Sequence, residues 1–101
     1  MKVLTQGHKY VAQNFEDKES GQTIQFIEKE ALPGLPLNTI NDGTTNEEVL
    51  EILINRVKFL NNKYPCKENA MCITHMEEAL MWLEKRTKDR IKRDVEGKQI
   101  A

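Results

Sequence analysis

Three of the chain's four arginines, Arg86, Arg90 and Arg93, follow its single tryptophan, Trp82, at steps of four, four and three residues. On a helix such steps put side chains on one face, so an indole and three guanidiniums share a stripe. A planar guanidinium grips phosphate with two parallel hydrogen bonds and stacks on bases, which a lysine ammonium does not do. Because the chain uses lysine almost everywhere else, the choice of arginine here points to an anion or nucleotide site. A second stripe, Ile52, Arg56 and Phe59, is rotated off the apolar face of its own helix and sets a phenyl ring beside a guanidinium. The same residues admit a plainer account. A tryptophan at the margin of a helix seam commonly serves as core or subunit interface, and a basic last turn complements the helix dipole or forms i, i+4 pairs such as Glu84 with Lys88.

Other chemistries find little material. The single serine, Ser20, falls in an expected turn, and the two histidines, His8 and His75, form no evident nucleophile and base arrangement with it. Cys72 and His75 stand three apart on one helix, but a closed zinc site takes four ligands and Cys66 is the one obvious third. Glu77, Glu78 and Glu84 read as a solvated flank, and neither Gly21 nor Gly97 belongs to a phosphate-cradling glycine fingerprint. No catalytic residue, metal site or cofactor is predicted.

The chain has 101 residues and a formal net charge of -1, enough for one domain with a small core that leans on a partner subunit for stability. The near-balanced charge argues against a general nucleic-acid coat, although Glu84 to Arg93 holds six basic residues against two acidic ones, a local +4. No apolar run suits a signal peptide or a membrane span, which predicts a cytoplasmic protein. In that compartment Cys66 and Cys72 are expected to stay reduced and to act as small hydrophobes.

The elements that must position these residues follow from patterning. HKYVAQNF (8–15) and QTIQFIEK (22–29) are rich in β-branched and aromatic residues and flank EDKESG, which predicts a β-hairpin. ALPGLPLNTINDG reads as a connector, with one short strand at Leu37 to Ile40. Thr45 and Glu48 form a capping box that opens a helix running to about Asn62, with Val49, Leu50, Leu53, Val57 and Leu60 as its core stripe. Pro65 suits the first turn of a second helix, Cys66 to Arg93, whose seam is Ile73, Met76, Leu80, Leu83 and Thr87 and whose stop is Gly97. The expected fold is α+β: an N-terminal β-hairpin and connector over 1–43, then an antiparallel two-helix hairpin over 44–97, in a single oligomeric domain.

The run DGTTNEEVLEILINRVKFLNNKYPCKENAMCITHMEEALMWLEKRTKDRIKRDVEGK resembles the helical-hairpin domain of phage anti-defence proteins that sequester immune signals. With QGHKYVAQNF and GQTIQFIEKE ahead of it, the chain is similar over nearly its whole length to the Thoeris anti-defence sponges. It resembles the anti-CBASS cyclic-oligonucleotide sponges more distantly. The resemblance implies a non-enzymatic binder, built as dimers assembled into a hexamer, that traps glycocyclic ADP-ribose made by a TIR-domain enzyme in the cytoplasm of the infected bacterial host. Some members also hold cyclic di- or trinucleotides in separate pockets. Carried over by matching motifs, the ligand-binding positions are Phe59 in VKFLNNKYPC, Asn69 in KENAM, and Arg86 and Arg90 in EKRTKDRIKR, with Arg56 and Arg93 as neighbours.

That set suits its ligand. Phe59 would stack on adenine, Asn69 would donate to and accept from a base or ribose edge, and Arg86 and Arg90 would meet the two phosphates. Two readings from other classes compete: a nucleic-acid-associated regulator using the basic helix on a phosphate backbone, and a structural assembly protein. Steep salt dependence would mark the former and lack of any bound nucleotide the latter.

Overall fold

In the computed structural model, which describes residues 1–95, the first strand begins at once. Lys2–Thr5 (β1) turns through Gly7, whose φ of 82° favours glycine, and pairs antiparallel with Lys9–Gln13 (β2). Gly21–Gln25 (β3) then pairs with β2 in unbroken register from Lys9↔Gln25 to Gln13↔Gly21. The turn between them is held by side chains: Asn14 Nδ2 donates to Ser20 Oγ (2.9 Å), and Asp17 accepts from the Glu19 N–H (3.1 Å) and the Ser20 hydroxyl (3.0 Å). At Gly21 any Cβ would collide with the Ala12 carbonyl oxygen, so the register tolerates no side chain there.

The expected hairpin is therefore a three-stranded sheet, in the order β1-β2-β3. The second predicted strand also breaks in two. At Phe26 the backbone leaves β2 and bridges to Thr44, and Glu28–Glu30 (β4) pairs instead with Asn38–Asn41 (β5) in a two-stranded sheet. The Gln25 side chain stabilises the break by donating to the Phe26 carbonyl (2.7 Å), and the Phe26 ring meets Tyr10 edge-on at 5.9 Å. The short strand expected at Leu37 to Ile40 is β5, displaced by one residue.

The chain divides into two compact units between Thr45 and Asn46. The second holds Asn46–Lys63 (α1) and Lys67–Val95 (α2). α1 opens directly after Thr45, where the capping box places it, with Glu47 and Glu48 at the positive end of its dipole. Between the helices Asn61 Oδ1 accepts the Cys66 N–H (3.1 Å), and Cys66 Sγ accepts the Asn69 N–H (3.4 Å). Cys66 thus caps α2 and Pro65 precedes the cap, outside the first turn where the sequence had suggested it. Both cysteines are free and exposed, so neither packs as a small hydrophobe. The stop expected at Gly97 lies outside the described residues.

The helices meet along half-buried positions at steps of three and four: Glu47, Leu50, Ile54, Val57 and Asn61 on α1 against Asn69, Ile73, Met76, Leu80 and Leu83 on α2. This spacing packs helices at a shallow angle. The predicted α2 seam holds from Ile73 to Leu83, while Thr87 is exposed. On α1 the seam turns by one position. Ile54, at 8% exposure, is the one buried residue among those described, and Leu53, assigned to the core from its spacing, is 46% exposed. The overall class is α+β, with five strands in two small antiparallel sheets and two helices.

Candidate functional site

The helix seam fixes which way each candidate side chain faces. Successive residues turn by about 100° around a helix and rise about 1.5 Å along it. Lys58 on α1 and Glu77 on α2 close an ion pair of 3.1 Å and so mark one flank of the hairpin. Counted from Ile54, Phe59 lies on the outer side of that same flank. Counted from Leu80, the arginines of α2 turn to the opposite flank.

Phe59 is 57% exposed, with the Lys63 ammonium 5.3 Å from its ring centre. Ile52 and Arg56 continue the same outer stripe and are also exposed. Two cations one turn either side of an open ring make a surface suited to a flat anionic ligand. Lys63 is a member of this cluster that sequence reasoning missed, although its spacing of four from Phe59 would have revealed it. The second stripe inferred on α1 is thus present, with its phenyl ring exposed and the Lys63 ammonium over it.

On α2, Trp82 is 60% exposed and heads the row of Arg86, Arg90 and Arg93. Arg86 is exposed, and Arg90 and Arg93 are half-buried. On the flank they share, Leu53 of α1 and Ala79 of α2 are exposed, and Leu60 of α1 and Leu83 of α2 are half-buried. Asn69 sits in the first turn of α2, half-buried, its backbone tied to the Cys66 thiol. The i, i+4 ion pair on this helix joins Lys85 to Asp89 at 3.0 Å.

One hairpin does not gather the six positions into a pocket. Asn69 and Arg90 are separated by 21 residues of continuous helix, which is about 31 Å along the axis. Phe59 and the arginine row face opposite flanks. What the hairpin does bring together is Arg86 with Arg90 and Arg93, and Arg56 with Phe59 and Lys63. Elsewhere in it, a shallow groove of about 280 Å³ is lined by Glu51, Ile54, Asn55, Lys58, Glu77 and Leu80. It holds none of the six. Among the described residues no three His, Cys, Asp or Glu side chains cluster as a metal ligand set, and no helix is long and apolar enough to cross a membrane.

Residues 27–88, which take in β4, β5, α1 and most of α2, match the Acb2/Tad1 hairpin domain. The chain belongs to this family. The resemblance to phage anti-defence proteins drawn from its motifs is thereby borne out. The Acb2/Tad1 match takes in Arg56, Phe59, Asn69 and Arg86, and ends before Arg90 and Arg93. The chain is also 51% identical over 57 residues to Thoeris anti-defense 1 of Bacillus phage SBSphiJ7. That alignment spans 55% of this chain and 40% of the relative, so the chain matches less than half the length of that protein.

Proposed function

We propose that this Acb2/Tad1 hairpin protein inhibits Thoeris defence as a stoichiometric trap, holding a cyclic ADP-ribose-type signal, glycocyclic ADP-ribose, and releasing it chemically unchanged. It acts without catalysis, in the cytoplasm of the infected bacterial host. Its working form is an oligomer of dimers assembled into a hexamer, with cyclic di- or trinucleotides as further ligands. The relative's name supports the defence system. The observation that carries the ligand class is an exposed phenyl ring on α1 together with a three-arginine row on α2.

These groups bind rather than transform. Guanidinium and carboxamide groups are poor general acids and bases, whereas they do hold phosphates and base edges in fixed orientation. Magnitudes then decide how the site is built. A trap must work at about nanomolar level, roughly -12 kcal/mol. Stacking contributes about 1–3 kcal/mol and a hydrogen bond to a charged group about 1.5–3. One ring and two arginines thus reach at most about 9 kcal/mol, before an association cost of at least about 4. An open face of a single hairpin falls short.

A site closed between copies does not, because excluding water strengthens every ionic contact within it. The placement of Phe59 and the arginine row on opposite flanks favours this arrangement, with the ring supplied by one subunit and the guanidiniums by its neighbour. Exposed Leu53, Trp82 and Met81 supply apolar surface for such contacts.

The test is to mix purified protein with glycocyclic ADP-ribose, remove unbound ligand by filtration, denature by heat, and identify what is released by mass spectrometry. Intact ligand in near-equal amount to protein is the expected result. Altered ligand means an enzyme, and no retained ligand means that the trap reading is wrong.

A further inference from the structure

The C-terminal half of α2 sorts its cations by type. Relative to Leu80, and at about 100° per residue, Lys85, Lys88 and Lys92 fall on the flank of the Lys58–Glu77 pair, and Arg86, Arg90 and Arg93 fall on the other. The two rows also differ in environment: all three lysines are exposed, while Arg90 and Arg93 are half-buried. Between the rows, on the ridge facing directly away from α1, stands Asp89. Its Oδ2 accepts from Lys85 Nζ at 3.0 Å. The Lys85 ammonium, with lesser help from Arg93 and Lys92, holds the Asp89 carboxyl below the usual carboxylate range.

We propose that Asp89 is a specificity-determining residue that keeps nucleic acid off this cationic helix. A compact pyrophosphate ligand needs only the arginine row. A phosphodiester chain that crosses α2 from one row to the other passes over a carboxylate on the ridge and a lysine already paired with it. The six cations of residues 84–93 are thereby divided into two rows with a carboxylate on the ridge between them. This holds whichever small anion the arginine row binds, so it stands or falls apart from the trap reading.

The experiment uses the full chain and fluorescein-labelled DNA, single-stranded and duplex, with fluorescence anisotropy read across a sodium chloride series. Asp89→Asn removes the carboxylate and frees Lys85, adding up to two phosphate contacts. Affinity for duplex should rise roughly tenfold or more at low salt, and the log–log salt slope should steepen by about 0.9 per added contact (about 0.7 on single strands). Adding Lys85→Gln should remove about one contact's share, and Asp89→Glu should bind as weakly as wild type. Circular dichroism checks that each variant keeps its helices. The proposal is overturned if Asp89→Asn retains wild-type affinity and slope, if wild type binds duplex as tightly as that variant, or if Asp89→Glu binds like Asp89→Asn.

Discussion

Two variants that each fail to capture ligand should regenerate capture when their subunits are mixed. Phe59→Ala removes the stacking ring, a loss of about 1–3 kcal/mol, and Arg90→Ala removes a charged phosphate contact of about 1.5–3 kcal/mol. At protein concentrations set below the weakened dissociation constants, neither variant alone holds the signal. Within one hairpin the ring and the arginines face opposite flanks, so in the proposed trap each complete site would draw Phe59 from one copy and Arg90 from the next. In an equimolar random mixture an interface has intact Phe59 on one side half the time and intact Arg90 on the other half the time, so about a quarter of wild-type capacity returns whatever the symmetry of the contact. The assay is filtration capture of glycocyclic ADP-ribose after the two proteins are unfolded and refolded together, with separately refolded samples as baseline. Capture no higher than that baseline, in mixtures shown by tagged pull-down to contain mixed oligomers, refutes the shared-site reasoning.

Further expectations concern the hairpin and the sheets. Ile54→Ala removes the one residue that is buried among those described and should cost about 2–5 kcal/mol, lowering Tm by roughly 10 °C or more at 4–8 °C per kcal/mol. Leu53→Ala, one position away but exposed, should move Tm far less in a melt followed by circular dichroism; equal shifts would contradict the seam assignment. Lys58→Gln should cost under about 1 kcal/mol in chemical denaturation, because both partners of the Lys58–Glu77 pair are half exposed. Gly21→Val should disrupt the three-stranded sheet, since its Cβ would strike the Ala12 carbonyl, and an unchanged pattern of protected amides in hydrogen exchange would count against that register. Trp82→Glu should shift sedimentation to smaller species while helix content persists, if that flank contacts another copy.

Much of the helical unit was legible because three- and four-residue spacing is a strong signal. The α2 seam from Ile73 to Leu83 and the opening of α1 after Thr45 both follow from it. Leu53 and Ile54 show its limit: adjacent apolar residues fit the same periodic stripe, and only the packing of α2 decides which of them turns inward. The N-terminal sheet was harder. β1 has four residues, all exposed, and carries no alternation to betray it, while the break at Phe26 depends on a bridge to Thr44, eighteen residues on. At the site, residue types were readable and geometry was not. The arginine row and the open Phe59 emerge from spacing on single helices, but their opposite flanks follow from the Lys58–Glu77 contact between helices. Lys63 does not stand out by residue type in a lysine-rich chain, and only its position over the Phe59 ring gives it a specific place.

On the proposed reading, copies of this chain jointly enclose an intact adenine and pyrophosphate ligand. Native mass spectrometry of the protein with glycocyclic ADP-ribose tests it most directly, since it reads subunit number, bound mass and ligand count together. Oligomers should carry about one unmodified ligand per subunit, and dissociated single chains none. Ligand riding on single chains, or a bound mass differing from that of the added signal, would contradict it.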